Sequence, residues 1–131
     1  MKGRFVKTNA FWLVMSLVIC LVSALGASFV QSSGGTVTIK DMRWETATGS
    51  EMSALLFKPN TATADNPAPG ILVSHGWFNN REMQDLNYVE LSRRGFVVIS
   101  IDMQGHGNSE AVPQELLAKN GIGMYNAVKL L

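Results

Sequence analysis

Two apolar runs constrain this chain more than anything else in it. Ile71-Leu72-Val73, entered through Gly70, breaks off at Ser74-His75-Gly76-Trp77. Phe96 to Ile101, entered through Gly95, breaks off at Asp102-Met103-Gln104-Gly105-His106-Gly107-Asn108-Ser109. Short apolar runs without alternation read as strands covered on both faces, the usual condition of parallel sheets. Parallel neighbours need a crossover of a dozen or more residues, and Gly76 to Gly95 supplies one. The unit is a βαβ, and its unusual residues are gathered in the loops after the strands.

The crossover reads as a helix from Asn79 to Arg94, with Asn79 or Asn80 as its cap and Glu82 and Asp85 in or near the first turn. Arg93 and Arg94 sit in the last turn, and Gly95 suits the left-handed position beyond it. Met83, Leu86 and Val89 share one face, with Tyr88 and Leu91 off it. Upstream, Thr36 to Lys40 alternates and is β-branched, and Met52 to Phe57 reads as a second strand stopped by Pro59. With Thr48-Gly49-Ser50 as the turn, they form an antiparallel hairpin ahead of the βαβ unit. Asn60 to Pro69, with Pro67 inside it, is a surface loop. Beyond Pro113 the pattern is helical again: Met124, Val128 and Leu131 follow i, i+4, i+7 with Tyr125 alongside, and no Gly, Asn or Pro closes the segment.

Ala10 to Val30 contains no charged residue and is long enough to cross a bilayer core as a helix. Lys2, Arg4 and Lys7 precede it, while the five residues after it are uncharged. The positive-inside bias puts the N-terminus in the cytoplasm and the rest outside, as a single-pass protein of the cell membrane. A cleaved signal peptide, ending near Ala24-Leu25-Gly26 and releasing a secreted domain, is the alternative, although the apolar run continues past that site to Val30. A lipoprotein site at Cys20 is disfavoured by the bulky Ile19 before it. The chain therefore divides into a basic leader (1–9), the span (10–30), a flexible linker (31–35) and a domain (36–131). Cys20 is the only cysteine, so no intramolecular disulfide forms. A net charge of +1 over 131 residues gives no basic stripe for nucleic acid.

Three features taken in order resemble the α/β-hydrolase superfamily, in its dienelactone-hydrolase and acyl-peptidase-like branch. They are the strand ending in His75-Gly76-Trp77, the helix closing in Ser92-Arg93-Arg94-Gly95-Phe96 before the second strand, and Asp102-x-x-Gly105-x-Gly107-x-Ser109. The resemblance implies the N-terminal part of such a sheet, a β-hairpin followed by a βαβ unit, after the transmembrane helix. It also implies that the backbone N–H of Trp77 is an oxyanion-hole donor, with His75 and Gly76 shaping its loop. Trp77 and Phe78 would wall the acyl or leaving-group site. Asp102, Gly105, Gly107 and Ser109 would form the turn after the second parallel strand.

The sequence departs from that pattern in one large respect. No Gly-x-Ser-x-Gly elbow occurs in it, so the Ser, Asp and His of a triad are expected downstream of Leu131, and neither His75 nor His106 takes the triad histidine's place. His106 with Asp102 lacks the spacing of a metal pair, and Glu110 replaces the third glycine of a dinucleotide fingerprint. No metal or organic cofactor is implied. The expectation is the N-terminal fragment of a membrane-anchored, extracytoplasmic serine hydrolase acting on a small-molecule or peptide acyl substrate, inactive and poorly folding as these 131 residues alone. The competing expectation is a non-catalytic, membrane-tethered remnant or partner-binding module.

Overall fold

A computed structural model describes residues 9–47, 49–113 and 121–131. The expected basic leader up to residue 8, Thr48 of the hairpin turn and residues 114–120 of the expected terminal helix lie outside the described residues. The elements are α1 (Asn9–Gln31), β1 (Val37–Glu45), β2 (Glu51–Pro59), β3 (Gly70–Ser74), α2 (Asp85–Arg93), β4 (Val97–Ile101) and α3 (Gly121–Val128). The four strands form one sheet in the order β1-β2-β4-β3. β1 pairs with β2, and β2 with β4, antiparallel. β3 runs parallel to β4, from Gly70 opposite Val97 to Ser74 opposite Ile101, with α2 as the crossover. This is the mixed α/β architecture the two apolar runs imply.

β4 is buried because both of its faces are used, as the absence of alternation in its sequence requires. Val98 packs with Val37, Phe57 and Tyr88 beneath α2. Ile99 and Ile101 point the other way and join Met52, Ala54 and the Ala127 of α3. Tyr88 stacks on Phe57 at 4.4 Å between ring centroids. Gly123 brings α3 close to the sheet: a Cβ there would stand 2.6 Å from Met52 Sδ.

The structure corrects the reading of both later helices. α2 starts at Asp85, not Asn79, and Gln84 at its N-cap makes no side-chain capping bond. The turn before α2 is instead held through Arg81, whose N–H donates to Asp102 and whose side chain is buried. Asn80 closes a local turn, its Oδ1 accepting the Glu82 N–H at 3.0 Å. The buried face of α2 is the one with Tyr88 and Ser92, while Met83 and Leu86 are 60% and 88% exposed. In α3 the small residues Gly123 and Ala127 face the sheet, and Met124, Tyr125 and Val128 face outward. The periodic Met124 and Val128 thus lie on the face of α3 that the four strands leave uncovered, whereas in α2 the periodic set is split, with Leu86 outward and Val89 half-buried against the core.

α1 has 23 residues, none of them buried, so it spans about 35 Å and is long and apolar enough to cross a bilayer core of about 30 Å. Its connection to the sheet is ordered by hydrogen bonds, in place of the expected flexible linker. The Gly34 N–H donates to the Phe29 carbonyl at 2.8 Å and the Ser33 N–H to the Val30 carbonyl at 3.0 Å, with Ser33 at a φ of +50°. These are the two bonds of a Schellman cap. The Val37 N–H then reaches back to the Ser32 carbonyl at 3.0 Å, and Asn60 Nδ2 donates to the Gly35 carbonyl at 2.9 Å. Between them, these bonds leave little of the backbone from 33 to 37 free to swing.

Candidate active site

The loops after β3 and β4 leave the sheet side by side, because parallel strands end at the same edge. Between them lies a cleft of about 480 Å³, lined from the β3 side by Ser74 to Trp77 and from the β4 side by Met103 to His106. Ligands of open α/β sheets bind at this carboxyl edge of the strands.

His75 joins the two loops. The Met103 N–H donates to His75 Nε2 at 3.0 Å, so that nitrogen carries no hydrogen, and Nδ1 donates to the Gly76 carbonyl at 2.7 Å. Both ring nitrogens are therefore occupied in bracing the backbone. His106 hydrogen-bonds the Gln104 carbonyl through Nδ1, and its ring lies 5.1 Å from His75 and 5.8 Å from Trp77. Among the described residues no serine hydroxyl bonds to either imidazole: Ser74 Oγ reaches only the His75 carbonyl, at 3.5 Å. Ser109 Oγ is used twice, donating to the Asp102 carbonyl at 2.7 Å and accepting the Ser53 N–H at 2.9 Å.

Trp77 and Phe78 occupy the centre of a β-turn closed by the Asn79 N–H on the Gly76 carbonyl, at 3.3 Å. Phe78 takes a φ of +61°, which a bulky side chain adopts only under compulsion. The Trp77 and Phe78 side chains are 78% and 89% exposed, and no acceptor among the described residues takes either N–H. Gly76 is not required by the chain's own packing, since a Cβ there would meet only Asn79 Nδ2, at an ordinary 3.7 Å.

Under the cleft lies a polar core that sequence reasoning missed. Arg81 enters from the turn before α2, with its side chain only 6% exposed. Its guanidinium makes a two-pronged contact with Asp41 at 2.9 and 3.0 Å, and donates to Ser53 Oγ at 2.6 Å and the Ala54 carbonyl at 3.0 Å. Its Nε lies 3.6 Å from Oδ2 of Asp102, a fully buried carboxylate. Asp102 also accepts the Arg81 N–H at 2.7 Å and the Asn108 N–H at 3.0 Å. Ser100 Oγ donates to the Arg81 carbonyl at 2.6 Å. One arginine thus ties β1, β2, the loop after β4 and the turn behind Trp77 together. The hydrogen bond to Asp41, ahead of its charge, raises the arginine's affinity for its proton, and the same bond holds the Asp41 carboxyl below its usual range. No periodicity points to Arg81. The only sequence sign is a cation between Asn80 and Glu82, 21 residues before the aspartate that follows β4.

Gly107 is required by the same network. Its φ is +53°, and a Cβ there would collide with the Asp102 carboxylate. Gly107→Ala should cost roughly 2–5 kcal/mol, combining left-handed strain of about 1–2 with overpacking of about 1–3. Gly105→Ala is the control: its φ is +77° but the space around it is open, so only the strain component applies. Urea midpoints for the two variants check the difference.

No model of a known protein family matches this sequence, and no curated protein does. Solved structures do. An esterase from Pyrococcus furiosus is similar over 76% of this chain and 38% of its own, with 17% identity and a TM-score of 0.61. An α/β hydrolase from Penicillium is similar over 71% of this chain and 32% of its own, with 17% identity and a TM-score of 0.59. The thioesterase domain from the curacin biosynthetic pathway is similar over 72% of this chain and 32% of its own, with 15% identity and a TM-score of 0.58. The likeness is one of fold: the sheet is similar to part of the sheet in those structures. This chain spans about a third of the length of those structures.

Proposed function

We propose that this chain is the N-terminal portion of a membrane-anchored serine hydrolase, of the dienelactone-hydrolase and acyl-peptidase-like branch, that cleaves an ester or peptide-like acyl substrate outside the cytoplasm. The observation that carries the reading is the backbone N–H of Trp77. It is a donor without an acceptor among the described residues, at the mouth of a cleft, in a turn that holds Phe78 at a positive φ. Strain of this kind, about 1–3 kcal/mol, persists where the surroundings over-determine it, commonly at ligand sites.

In the complete protein a serine Oγ attacks the acyl carbon and passes its proton to the triad histidine. The carbonyl oxygen takes up the electron pair and accepts the hydrogen bond from the Trp77 N–H. Collapse expels the leaving group with that proton and leaves an acyl-serine, which water opens by the same steps in reverse. His75 is a positioning residue, since both of its nitrogens serve the loops. Support for a further portion of the fold comes from the single hydrogen-bonded neighbour of β3 and the outward Met124, Tyr125 and Val128 of α3.

The test is the native gene product in isolated membranes, detected with an antibody to residues 31–69 and probed with a fluorophosphonate. The expected result is a labelled product at least about twice this length, since the nucleophile elbow follows α3 in this fold. A product of this length, or a longer one that no serine probe labels, overturns the hydrolase reading.

A further inference from the structure

α2 turns an apolar face outward next to the end of α1. Leu86 is exposed on it, with Met83 exposed in the turn before it, and Leu86, Val89 and Arg93 form one wall of a groove of about 390 Å³. Val30 and Gln31, in the last turn of α1, form the opposite wall. We propose that this face of α2 rests on the outer surface of the phospholipid bilayer that α1 crosses, so that the domain lies on the membrane in one fixed orientation. The inference rests on the reading of α1 as a membrane span.

Three observations favour lipid as the occupant. The first is continuity. A 23-residue helix exceeds the hydrocarbon core by about 5 Å, so its last turn emerges among the headgroups, and whatever surrounds Val30 there also reaches Leu86. The second is the charge pattern. Arg93 is exposed, and among the described residues it pairs with no carboxylate, while the nearby Glu90 is occupied by Arg94 at 2.8 Å. A free guanidinium beside apolar side chains suits the boundary between lipid phosphates and acyl chains. Asp85, the remaining acid of the groove, has its Oδ1 buried without a partner, and burial, then Glu82, raises its pKa. The third is the Schellman cap, which fixes the sheet relative to α1 and so keeps α2 beside the span. This face is also the one whose periodicity looked like a core stripe: Val89 meets the core, while Leu86 is left for another surface to cover.

The experiment places one cysteine at Leu86, or at Tyr125 on the opposite face of the sheet, in the full-length product carrying Cys20→Ser. Each is labelled with an environment-sensitive fluorophore and reconstituted into vesicles of phosphatidylcholine and phosphatidylglycerol, with or without doxyl-labelled lipid. The expected result is flotation with the vesicles and several-fold stronger quenching at position 86 than at position 125. Flotation with equal, weak quenching at both positions overturns the docking and leaves the span intact. Failure to float, or extraction by carbonate, overturns the span itself. Emission at position 86 that follows protein density and not doxyl lipid assigns the face to a second copy and also overturns the proposal.

Discussion

Arg81→Met should be the most destabilising single substitution in the domain, lowering stability by about 3–5 kcal/mol. The reason is less the loss of attraction than what is left behind. Removing one partner of a buried pair strands the other charge, and Asp102 has no exposure through which water could replace the guanidinium. Ser53 Oγ and the Ala54 carbonyl lose their donor at the same time. Asp41 matters less, because its side chain is more than half exposed and water can take over. Urea midpoints should therefore rank Arg81→Met well below Asp41→Asn. Adding Asp102→Asn to Arg81→Met should restore part of the loss, since the stranded charge is then gone. Additive losses would mean that Arg81 acts by packing alone. The acid limb carries a sign as well. Asp41 has its folded pKa depressed below 3.8, so its contribution is fully present above that value and is lost as pH falls through the folded pKa. Asp41→Asn should lower stability at neutral pH by that contribution and flatten the acid limb, so that variant and wild type converge as pH falls.

On the proposed reading of the Trp77 amide as an oxyanion donor, Trp77→Pro in the full-length protein should lower kcat by about 10²–10³. Proline suits the position because Trp77 is the second residue of the Gly76–Asn79 turn, where a φ near −65° is preferred. Only the N–H and the indole are removed. Trp77→Phe keeps the amide and loses only part of the wall, so it should change KM more than kcat. Equal kcat values for the two variants would reject the amide as the donor. Matching urea midpoints would show that the turn survived in both.

The parallel strands and their pairing were legible in the sequence, whereas β1 runs on to Glu45, five residues past the expected Lys40, and Pro59 belongs to β2. Ile71-Leu72-Val73 and Phe96 to Ile101 had no polar face to give to water, so burial on both sides was the only way to pair them. The cleft was legible for the same reason: two parallel strands that break off in His75-Gly76 and Asp102-x-x-Gly105 must deliver those loops to one edge. Helix faces were not legible. Periodicity shows that Met83, Leu86 and Val89 lie together, but not whether the sheet or another surface covers them. Tertiary packing gave the sheet Tyr88 and Ser92 and left Leu86 outside. Arg81 was hidden for a different reason. Its partners Asp41, Ser53 and Asp102 come from three separate segments, and nothing local records that the fold will bring them within hydrogen-bond distance. That convergence also moved the start of α2 from Asn79 to Asp85. Sequence alone determined which segments must be buried; only the tertiary structure decided what each meets there, because burial follows from a segment's own composition, whereas polar partnership depends on segments far apart in the chain.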